Sequence, residues 1–156
     1  MIAIDVPGYR NLRLSHLVLD YNGTLARDGE LLVGVKHSLS ELAHHLRLHI
    51  VTADTFGKAR EHLSGIVCDL RVLESTEDGG AKKRYVEQLG AQETVCIGNG
   101  RNDRAMFEVA ALSICVVGQE GAAPDSIAAS DVVAPDIVSA LESLRHPKRL
   151  IATLRA

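Results

Sequence analysis

The chain has 156 residues, of which 46% are hydrophobic, 24% are charged and only 3% are aromatic. A chain of this length and composition can bury one full core of aliphatic side chains, so we expect a single domain over residues 1–156. The formal net charge of −3 argues against binding along a nucleic-acid backbone, which needs a basic face, but not against a small phosphorylated ligand.

The cysteines and the N-terminus indicate where the protein works. Cys68, Cys96 and Cys115 each lie in an apolar stretch, and none has the spacing of a metal site. Such an odd set is typical of reduced, buried thiols in a cytosolic protein. The first 13 residues lack a basic start followed by a long apolar stretch, and no apolar run approaches the ~20 residues of a membrane span. We therefore expect a cytoplasmic protein without a membrane segment.

Short apolar runs alternate with amphipathic segments along the chain. In chain order the pattern predicts a strand at 16–20, a hairpin at 25–33, a helix at 35–45, a strand at 46–53, a helix at 58–63, one or two strand segments at 65–73, a helix at 81–89, a strand at 94–98, a helix at 103–110, a strand at 112–118, a helix at 125–129, a strand at 131–134, and helices at 136–145 and 147–154. This alternation predicts a three-layer, Rossmann-like α/β domain, with a central parallel sheet and helices on both faces.

Ligands of such sheets bind beyond the carboxyl ends of the strands, so the residues at those ends matter most. The predicted strand ends carry DYNGTL from Asp20, TAD from Thr52 and GNGRND from Gly98. Lys82 and Lys83 begin the helix that lies between the last two stretches. We expect these polar residues to converge at one rim of the sheet.

These residue types are suited to phosphoryl transfer. A carboxylate directly after a buried strand, here Asp20, can attack phosphorus and form an aspartyl-phosphate. Such a reaction needs charge neutralisation and in-line positioning, which the Thr52 hydroxyl with the adjacent Ala53, backbone N–H groups at Gly23 and Thr24, and a lysine can supply.

The same rim offers oxygen ligands for Mg²⁺, which prefers an octahedral set of protein oxygens and waters. The candidate ligands are the Asp20 carboxylate, the backbone carbonyl of Asn22, and the loop that carries Asn99 and Asp103. Taken singly, each of these residues has a simpler interpretation: Asp20 could belong to a turn and Asp103 to the first turn of a helix.

Four stretches in order resemble the four motifs of the haloacid dehalogenase (HAD) superfamily: D-x-x-G-T-L at Asp20, the strand-end Thr52, A-K-K-R-Y-V-E-Q-L with Lys82, and G-N-G-R-N-D up to Asp103. The resemblance spans about 20–134. Within the superfamily the chain most resembles the phosphorylation domain of P-type ATPases and their soluble relatives, through the G-x-G-x-N-D loop and the S-D-V-V stretch from Ser130.

The resemblance implies a magnesium-dependent phosphatase that acts on a phosphorylated substrate. By motif, Asp20 is the nucleophile, Thr52 and Lys82 bind the phosphoryl group, and Asn99 and Asp103 lie in the metal loop. Of the two lysines, counting back along the helix motif favours Lys82 over Lys83.

Two positions depart from the family pattern. Phosphatases of the superfamily usually have Asp as general acid/base two residues after the nucleophile, whereas this chain has Asn22. P-type ATPases also lack an acid there. Asn99 occupies a position where the family generally has a metal-binding Asp. The alternative hypothesis is therefore a catalytically weak or inactive relative that binds a phosphorylated ligand or a partner protein.

No stretch is long enough for a cap domain, either between Asn22 and Thr52 or between Thr52 and Lys82. The family resemblance then implies a cap-less member with a small flap near 25–33. Such members act on large substrates or cover the site with a neighbouring subunit, so we expect a homo-oligomer, a dimer or a tetramer. Elsewhere, Asp54 is interpreted as a helix N-cap. The histidines His44, His45 and His49 are not interpreted as a metal site, because adjacent residues of a helix do not face one another.

Overall fold

The computed structural model describes residues 1–53, 57–73 and 79–156, and the N-cap predicted at Asp54 lies outside them. The strands are β1 (Ile2–Asp5), β2 (Asn11–Leu14), β3 (His16–Asp20), β4 (Ala26–Arg27), β5 (Glu30–Leu31), β6 (Arg47–Thr52), β7 (Cys68–Val72), β8 (Thr94–Gly98), β9 (Leu112–Val116) and β10 (Val132–Ala134). The α-helices are α1 (Val35–Leu42), α2 (Ala59–His62), α3 (Gly80–Leu89), α4 (Arg104–Phe107), α5 (Pro124–Ala129), α6 (Ile137–Arg145) and α7 (Pro147–Leu154).

A parallel sheet of six strands forms the centre of the protein, in the order β10-β9-β8-β3-β6-β7. The central strand β3 pairs in parallel with β6 on one side and with β8 on the other. Its core residues are apolar and buried on both faces, as expected for a parallel strand that is covered by helices. The predicted α/β architecture is confirmed.

Alternate side chains of the strands enter two separate cores, since a strand has a period of two. On one face, Leu17 and Leu19 of β3 pack in a core that includes α1, α6, α7 and the N-terminal strands. On the other face, Val18 packs with residues of α3 and α4, such as Val86 and Met106. Three layers result, with the sheet in the middle.

The predicted hairpin at 25–33 is present as the antiparallel pair β4–β5. Asp28 and Gly29 form its two-residue turn with φ angles of 52° and 80°. Two consecutive positive φ angles are what a type I′ turn requires, and Asp-Gly is a preferred sequence for it. This small hairpin follows the Asp20 loop directly, so it lies next to the candidate site.

The N-terminal hairpin β1–β2 was not predicted from the sequence. Its strands pair antiparallel and alternate in burial, with Ile4, Leu12 and Leu14 in the core. The strands have only four residues each, which makes them hard to recognise in a sequence. The features that do indicate the hairpin are the Pro7-Gly8 turn and the period-two alternation of apolar residues.

Two predicted helices are shorter in the structure. The helix predicted at 35–45 ends at Leu42, because turns at 43–45 reverse the chain into β6. The helix predicted at 103–110 is a 3₁₀ turn, Arg101–Asp103, followed by α4. Among residues 1–53, 57–73 and 79–156, none of the helices combines the length and the apolar character of a membrane span.

Candidate active site

The carboxyl ends of three neighbouring strands meet at one rim of the sheet. Strand β3 ends at Asp20, β6 ends at Thr52 and β8 ends at Gly98. Because all three strands are parallel neighbours, their ends converge, as the sequence predicted.

Helix α3 brings Lys82 to the same rim. The helix starts after Gly79, whose φ is 68°, and a Cβ at this glycine would lie 2.6 Å from the backbone oxygen of Asn102. Only a residue without a side chain lets α3 begin so close to the loop after β8. Lys82 is then buried, with 4% exposed, whereas Lys83 is partly exposed.

Lys82 lies between two buried carboxylates. Its Nζ is 2.8 Å from Oδ1 of Asp20 and 2.6 Å from Oδ1 of Asp103. Asp20 is 7% exposed and Asp103 is fully buried. Two carboxylates and one ammonium leave this three-residue cluster with one net negative charge.

The cluster shifts the protonation of its own members. Burial, together with the nearby Asp103 carboxylate, raises the pKa of Asp20 to about 6, although Lys82 opposes the shift. Burial lowers the pKa of Lys82, but the carboxylates of Asp103 and Asp20 outweigh it and the net direction is upward. Lys82 is therefore held as a cation, and Asp20 is largely ionised at neutral pH.

Asp103 also fixes the loop after β8. Its Oδ2 accepts hydrogen bonds from the backbone N–H groups of Asn99 (3.0 Å) and Gly100 (2.9 Å), while its Oδ1 accepts from Lys82. A Cβ at Gly98 would overlap the Asp103 carboxylate, so glycine is required there. Since both of its oxygens already have partners, Asp103 is arranged as an anchor for Lys82 and for the loop.

The loop after Asp20 uses its own N–H groups internally. The N–H of Gly23 donates to the carbonyl of Ala26 (2.9 Å), and that of Thr24 donates to the carbonyl of Tyr21 (3.3 Å). In this conformation neither group is free for a phosphoryl oxygen, so the phosphate contact predicted for Gly23 would require a change of partner. Gly23 adopts a φ of 78°, which favours glycine.

The amide of Asn22 faces Thr52. Its Nδ2 lies 3.4 Å from Oγ1 of Thr52, which links the loop after β3 to the end of β6. Thr52 is buried and the following Ala53 is exposed at the same rim. The predicted nucleophile, its Asn22 neighbour, Thr52 and Lys82 therefore lie together.

A divalent cation would find oxygen ligands on the other side of Asp20. The hydroxyl of Thr24 lies 3.4 Å from Oδ2 of Asp20 and 3.2 Å from Oδ1 of Asn99, so these two acceptor oxygens face one another across a single hydroxyl. In the described ranges no three His, Cys, Asp or Glu side chains form a metal-binding group. The donor set is therefore mixed carboxylate and amide oxygen, which fits Mg²⁺.

One residue of this rim, Glu120, was not predicted from the sequence. Glu120 lies in the loop after β9, and its Oε2 would be 2.6 Å from a Cβ placed on Gly23. The sequence pattern could have indicated Glu120, because β9 is the next parallel strand after β8 and its carboxyl end lies at the same rim.

A groove of about 580 Å³ opens beside the cluster. It is bordered by Gly23 and Thr24, by Arg27 and Leu32 near the hairpin, and by Glu120. The groove gives a ligand bound at the rim room to extend along the hairpin.

Comparison with solved structures shows which fold this is. An apo phosphoserine phosphatase is 15% identical, with a TM-score of 0.66 over 86% of this chain and 99% of that protein. The 3-deoxy-D-manno-octulosonate 8-phosphate phosphatase of Moraxella catarrhalis, solved with magnesium and phosphate ions and KDO, is 16% identical, with a TM-score of 0.64 over 91% of this chain and 94% of that protein.

A zinc-transporting PIB-type ATPase in its E2.Pi state is 20% identical, with a TM-score of 0.60. The match covers 79% of this chain but only 20% of the ATPase, so the similarity concerns one part of that protein. At these identities the comparisons show the fold, which is the HAD fold predicted from the motifs.

A relative by sequence is the uncharacterized protein MJ0073 of Methanocaldococcus jannaschii, which is 42% identical over 79 residues, 48% of this chain and 85% of that protein. No protein-family model matches the chain. The chain therefore has a cap-less HAD fold and belongs to the same protein family as MJ0073.

Proposed function

We propose that the protein is a magnesium-dependent phosphohydrolase that works through an aspartyl-phosphate on Asp20. The observation that carries the proposal is the buried cluster in which Lys82 joins Asp20 and Asp103 at the carboxyl rim of the sheet. A buried, ionised carboxylate held beside a fixed cation is suited to receive a phosphoryl group, which brings further negative charge.

In this mechanism the Asp20 carboxylate attacks phosphorus, and the bond between phosphorus and the leaving-group oxygen breaks. Lys82 and the hydroxyl of Thr52 hold the phosphoryl oxygens in line with the attacking oxygen. Water then attacks the acyl phosphate, which releases phosphate and restores Asp20. Asn22 can orient a water molecule or the leaving group but cannot transfer a proton, so both proton transfers fall to water.

Asp20 and Asn99, with the backbone carbonyl of Asn22, are the residues that would hold Mg²⁺. When bound, the ion supplies charge neutralisation for the phosphoryl oxygens. Asp103 supports this arrangement through Lys82 and through the backbone of Asn99. A phosphatase of the same fold has been solved with magnesium and phosphate ions, which supports this choice of cation.

The substrate is a phosphorylated compound whose non-reacting part reaches the groove beside Thr24. That groove has an apolar side at Leu32 and a cation at Arg27. An open groove with no cap over it admits large substrates, and a neighbouring subunit in a homo-oligomer could cover it.

One observation favours a second candidate, a domain that takes up a phosphoryl group but releases it slowly. Position 22 carries the amide of Asn22 instead of an acid, and this amide donates a hydrogen bond to Thr52. General acid–base assistance contributes typically ~10²–10⁴-fold, and without it the acyl phosphate would persist. Such a protein would bind a phosphorylated ligand or partner with little turnover.

The test is an aryl-phosphate hydrolysis assay with and without Mg²⁺, comparing the wild-type protein with Asp20→Asn. The proposal predicts magnesium-dependent phosphate release that is lost in Asp20→Asn, whose side chain has nearly the same shape. Equal rates for both proteins would reject the proposal. Covalent labelling of Asp20 without turnover would instead support the second candidate.

A further inference from the structure

Glu120 is an exposed residue outside the family motifs, and its carboxylate lies beside Gly23, close to the Asn99 side chain of the candidate metal site. A Cβ on Gly23 would lie 2.6 Å from Oε2 of Glu120, 2.8 Å from Nδ2 of Asn99 and 3.1 Å from Oδ1 of Asn99. Glu120 and Asn99 therefore both reach the space that the missing side chain of Gly23 leaves open. The Asn99 oxygen there is the one that faces Asp20 across the Thr24 hydroxyl.

A second carboxylate would neutralise the charge that a divalent cation brings to this site. Asp20, Asp103 and Lys82 together carry one net negative charge, and both oxygens of Asp103 already accept hydrogen bonds. The amide at Asn99 can offer an oxygen but no charge. A divalent cation beside Asp20 would thus meet one carboxylate, whereas protein sites for Mg²⁺ use one or two.

Glu120 is available for this task. It is exposed, and among the residues that the structure describes its carboxylate has neither a hydrogen bond nor an ion pair. The adjacent Gly121 is tied to the same loop, since its carbonyl accepts from Nδ2 of Asn99 at 3.2 Å. The backbone beside Glu120 is therefore fixed against Asn99 while its side chain keeps its full capacity to bind.

We propose that Glu120 supplies the second carboxylate of the metal site and replaces the charge that an acid at position 99 would provide. The inference rests on the proposed function, because it concerns the Mg²⁺ that this function requires. Asn99 then provides an amide oxygen from the loop after β8, and Glu120 provides the negative charge from the loop after β9.

Metal binding by itself tests this without an activity assay. Binding of Mn²⁺ would be followed by electron paramagnetic resonance, with Mg²⁺ as competitor, for the wild type, Asp20→Asn, Glu120→Gln and the control Glu108→Gln. Glu108 is a half-exposed acid that pairs with Arg104 on α4. We expect Glu120→Gln to weaken binding by ~10–100-fold, the range that supporting groups of metal sites carry, and Glu108→Gln to leave it unchanged.

A rescue variant separates a lost charge from a disturbed loop. Adding Asn99→Asp to Glu120→Gln should return the affinity to nearly that of the wild type, because the carboxylate is restored from the other side of the same space. Thermal unfolding of each variant checks that the fold is intact.

The outcomes distinguish the two proposals. If Asp20→Asn abolishes binding while Glu120→Gln matches the wild type, Glu120 is a solvated surface acid and this inference is wrong, but the proposed function stands. If the wild type binds neither ion, or if Asp20→Asn binds as tightly as the wild type, both proposals fail.

Discussion

The ammonium nitrogen of Lys82 lies 2.6 Å from Oδ1 of Asp103, although the two residues come from different elements, a helix and the loop after a strand. Both side chains are almost completely buried. The same ammonium contacts Asp20 at 2.8 Å, so one cation holds two carboxylates that would otherwise repel each other. This arrangement makes the site a structural centre as well as a candidate catalytic one.

Removal of the cation should therefore destabilise the protein strongly. In Lys82→Met the carboxylates of Asp20 and Asp103 face each other without compensation, and the loss of one partner from a buried ion pair typically costs about 3–5 kcal/mol. Chemical denaturation would measure the free energy of unfolding. The neighbouring, partly exposed Lys83, changed to Met, is the matched control and should shift it by no more than about 0.5 kcal/mol.

The loss of unfolding free energy in Lys82→Met should also depend on pH. Burial and Asp103 already raise the pKa of Asp20 to about 6, and loss of Lys82 removes the group that opposes this shift. A carboxyl whose pKa is raised in the folded state binds more protons than in the unfolded state, so the variant gains stability as the pH falls through that pKa. If the difference in unfolding free energy between the wild type and Lys82→Met grew towards acid pH, this account would be contradicted.

Gly98→Ala tests how tightly the Asp103 carboxylate is packed. The added methyl group would overlap that carboxylate, and overpacking of this kind typically costs about 1–3 kcal/mol. Gly100→Ala is the control, because its φ of −92° suits alanine and the nearest contact, at 3.0 Å, is the side chain of the exposed Asn102. Equal unfolding free energies for the two variants would show that the Asp103 carboxylate is not confined.

The rim of the sheet could be predicted from sequence because its residues follow apolar runs. Asp20, Thr52 and Gly98 each end a stretch of buried residues, and parallel strands leave their carboxyl ends at one edge. The inward orientation of Lys82 rather than Lys83 was also predicted correctly, since a helix fixes which neighbour faces the sheet.

Other features depend on contacts that sequence periodicity does not encode. The carboxylate of Glu120 can lie beside the candidate site because Gly23 has no side chain, and these two residues are far apart in the chain. The early 3₁₀ turn before α4 forms because Asp103 turns back to accept N–H groups from its own loop. The N-terminal hairpin was missed because its strands have only four residues each.

Asn22→Asp should accelerate turnover. A carboxyl group at this position can give a proton to the leaving group and take one from water, which is worth up to ~10²–10⁴-fold in rate. Steady-state phosphate release would be compared with that of Asn102→Asp, which adds the same charge at an exposed position of the neighbouring loop. An equal gain in both variants would point to a general effect of charge.

Freshly prepared protein is needed for that comparison, because Asn22 and Asn99 both precede glycine and such sequences are prone to deamidation. Peptide mass mapping must show that Asn22 is intact in the wild type. If aged protein becomes more active while its peptides are unmodified, deamidation is not the cause.

A buried histidine should make the fold sensitive to acid. Nε2 of His49 lies 3.0 Å from Nδ1 of His16, and Nδ1 of His49 lies 2.9 Å from the hydroxyl of Tyr85. Burial, with a contribution from His16, lowers the pKa of His49 to about 4 from 6.5. The neutral ring therefore contributes stability that is complete above about pH 6.5 and is lost as the pH falls through about 4, on the order of 2 kcal/mol.

Denaturation of His49→Gln between pH 4 and 7 would check this. The variant should be less stable than the wild type at neutral pH, because the contacts to His16 and Tyr85 change, but its stability should vary less with pH. The exposed His37, changed to Gln, tests whether the loss of any histidine has the same effect. An unaltered pH slope in His49→Gln would refute this prediction.

The central claim is that Asp20 takes up the phosphoryl group, and trapping that intermediate tests it most directly. The protein would be mixed with Mg²⁺ and a reactive aryl or acyl phosphate, quenched in acid, and digested for peptide mass analysis. The account predicts one added phosphoryl group on the peptide that contains Asp20, and none in Asp20→Asn. Label on any other residue, or label that persists in Asp20→Asn, would contradict it.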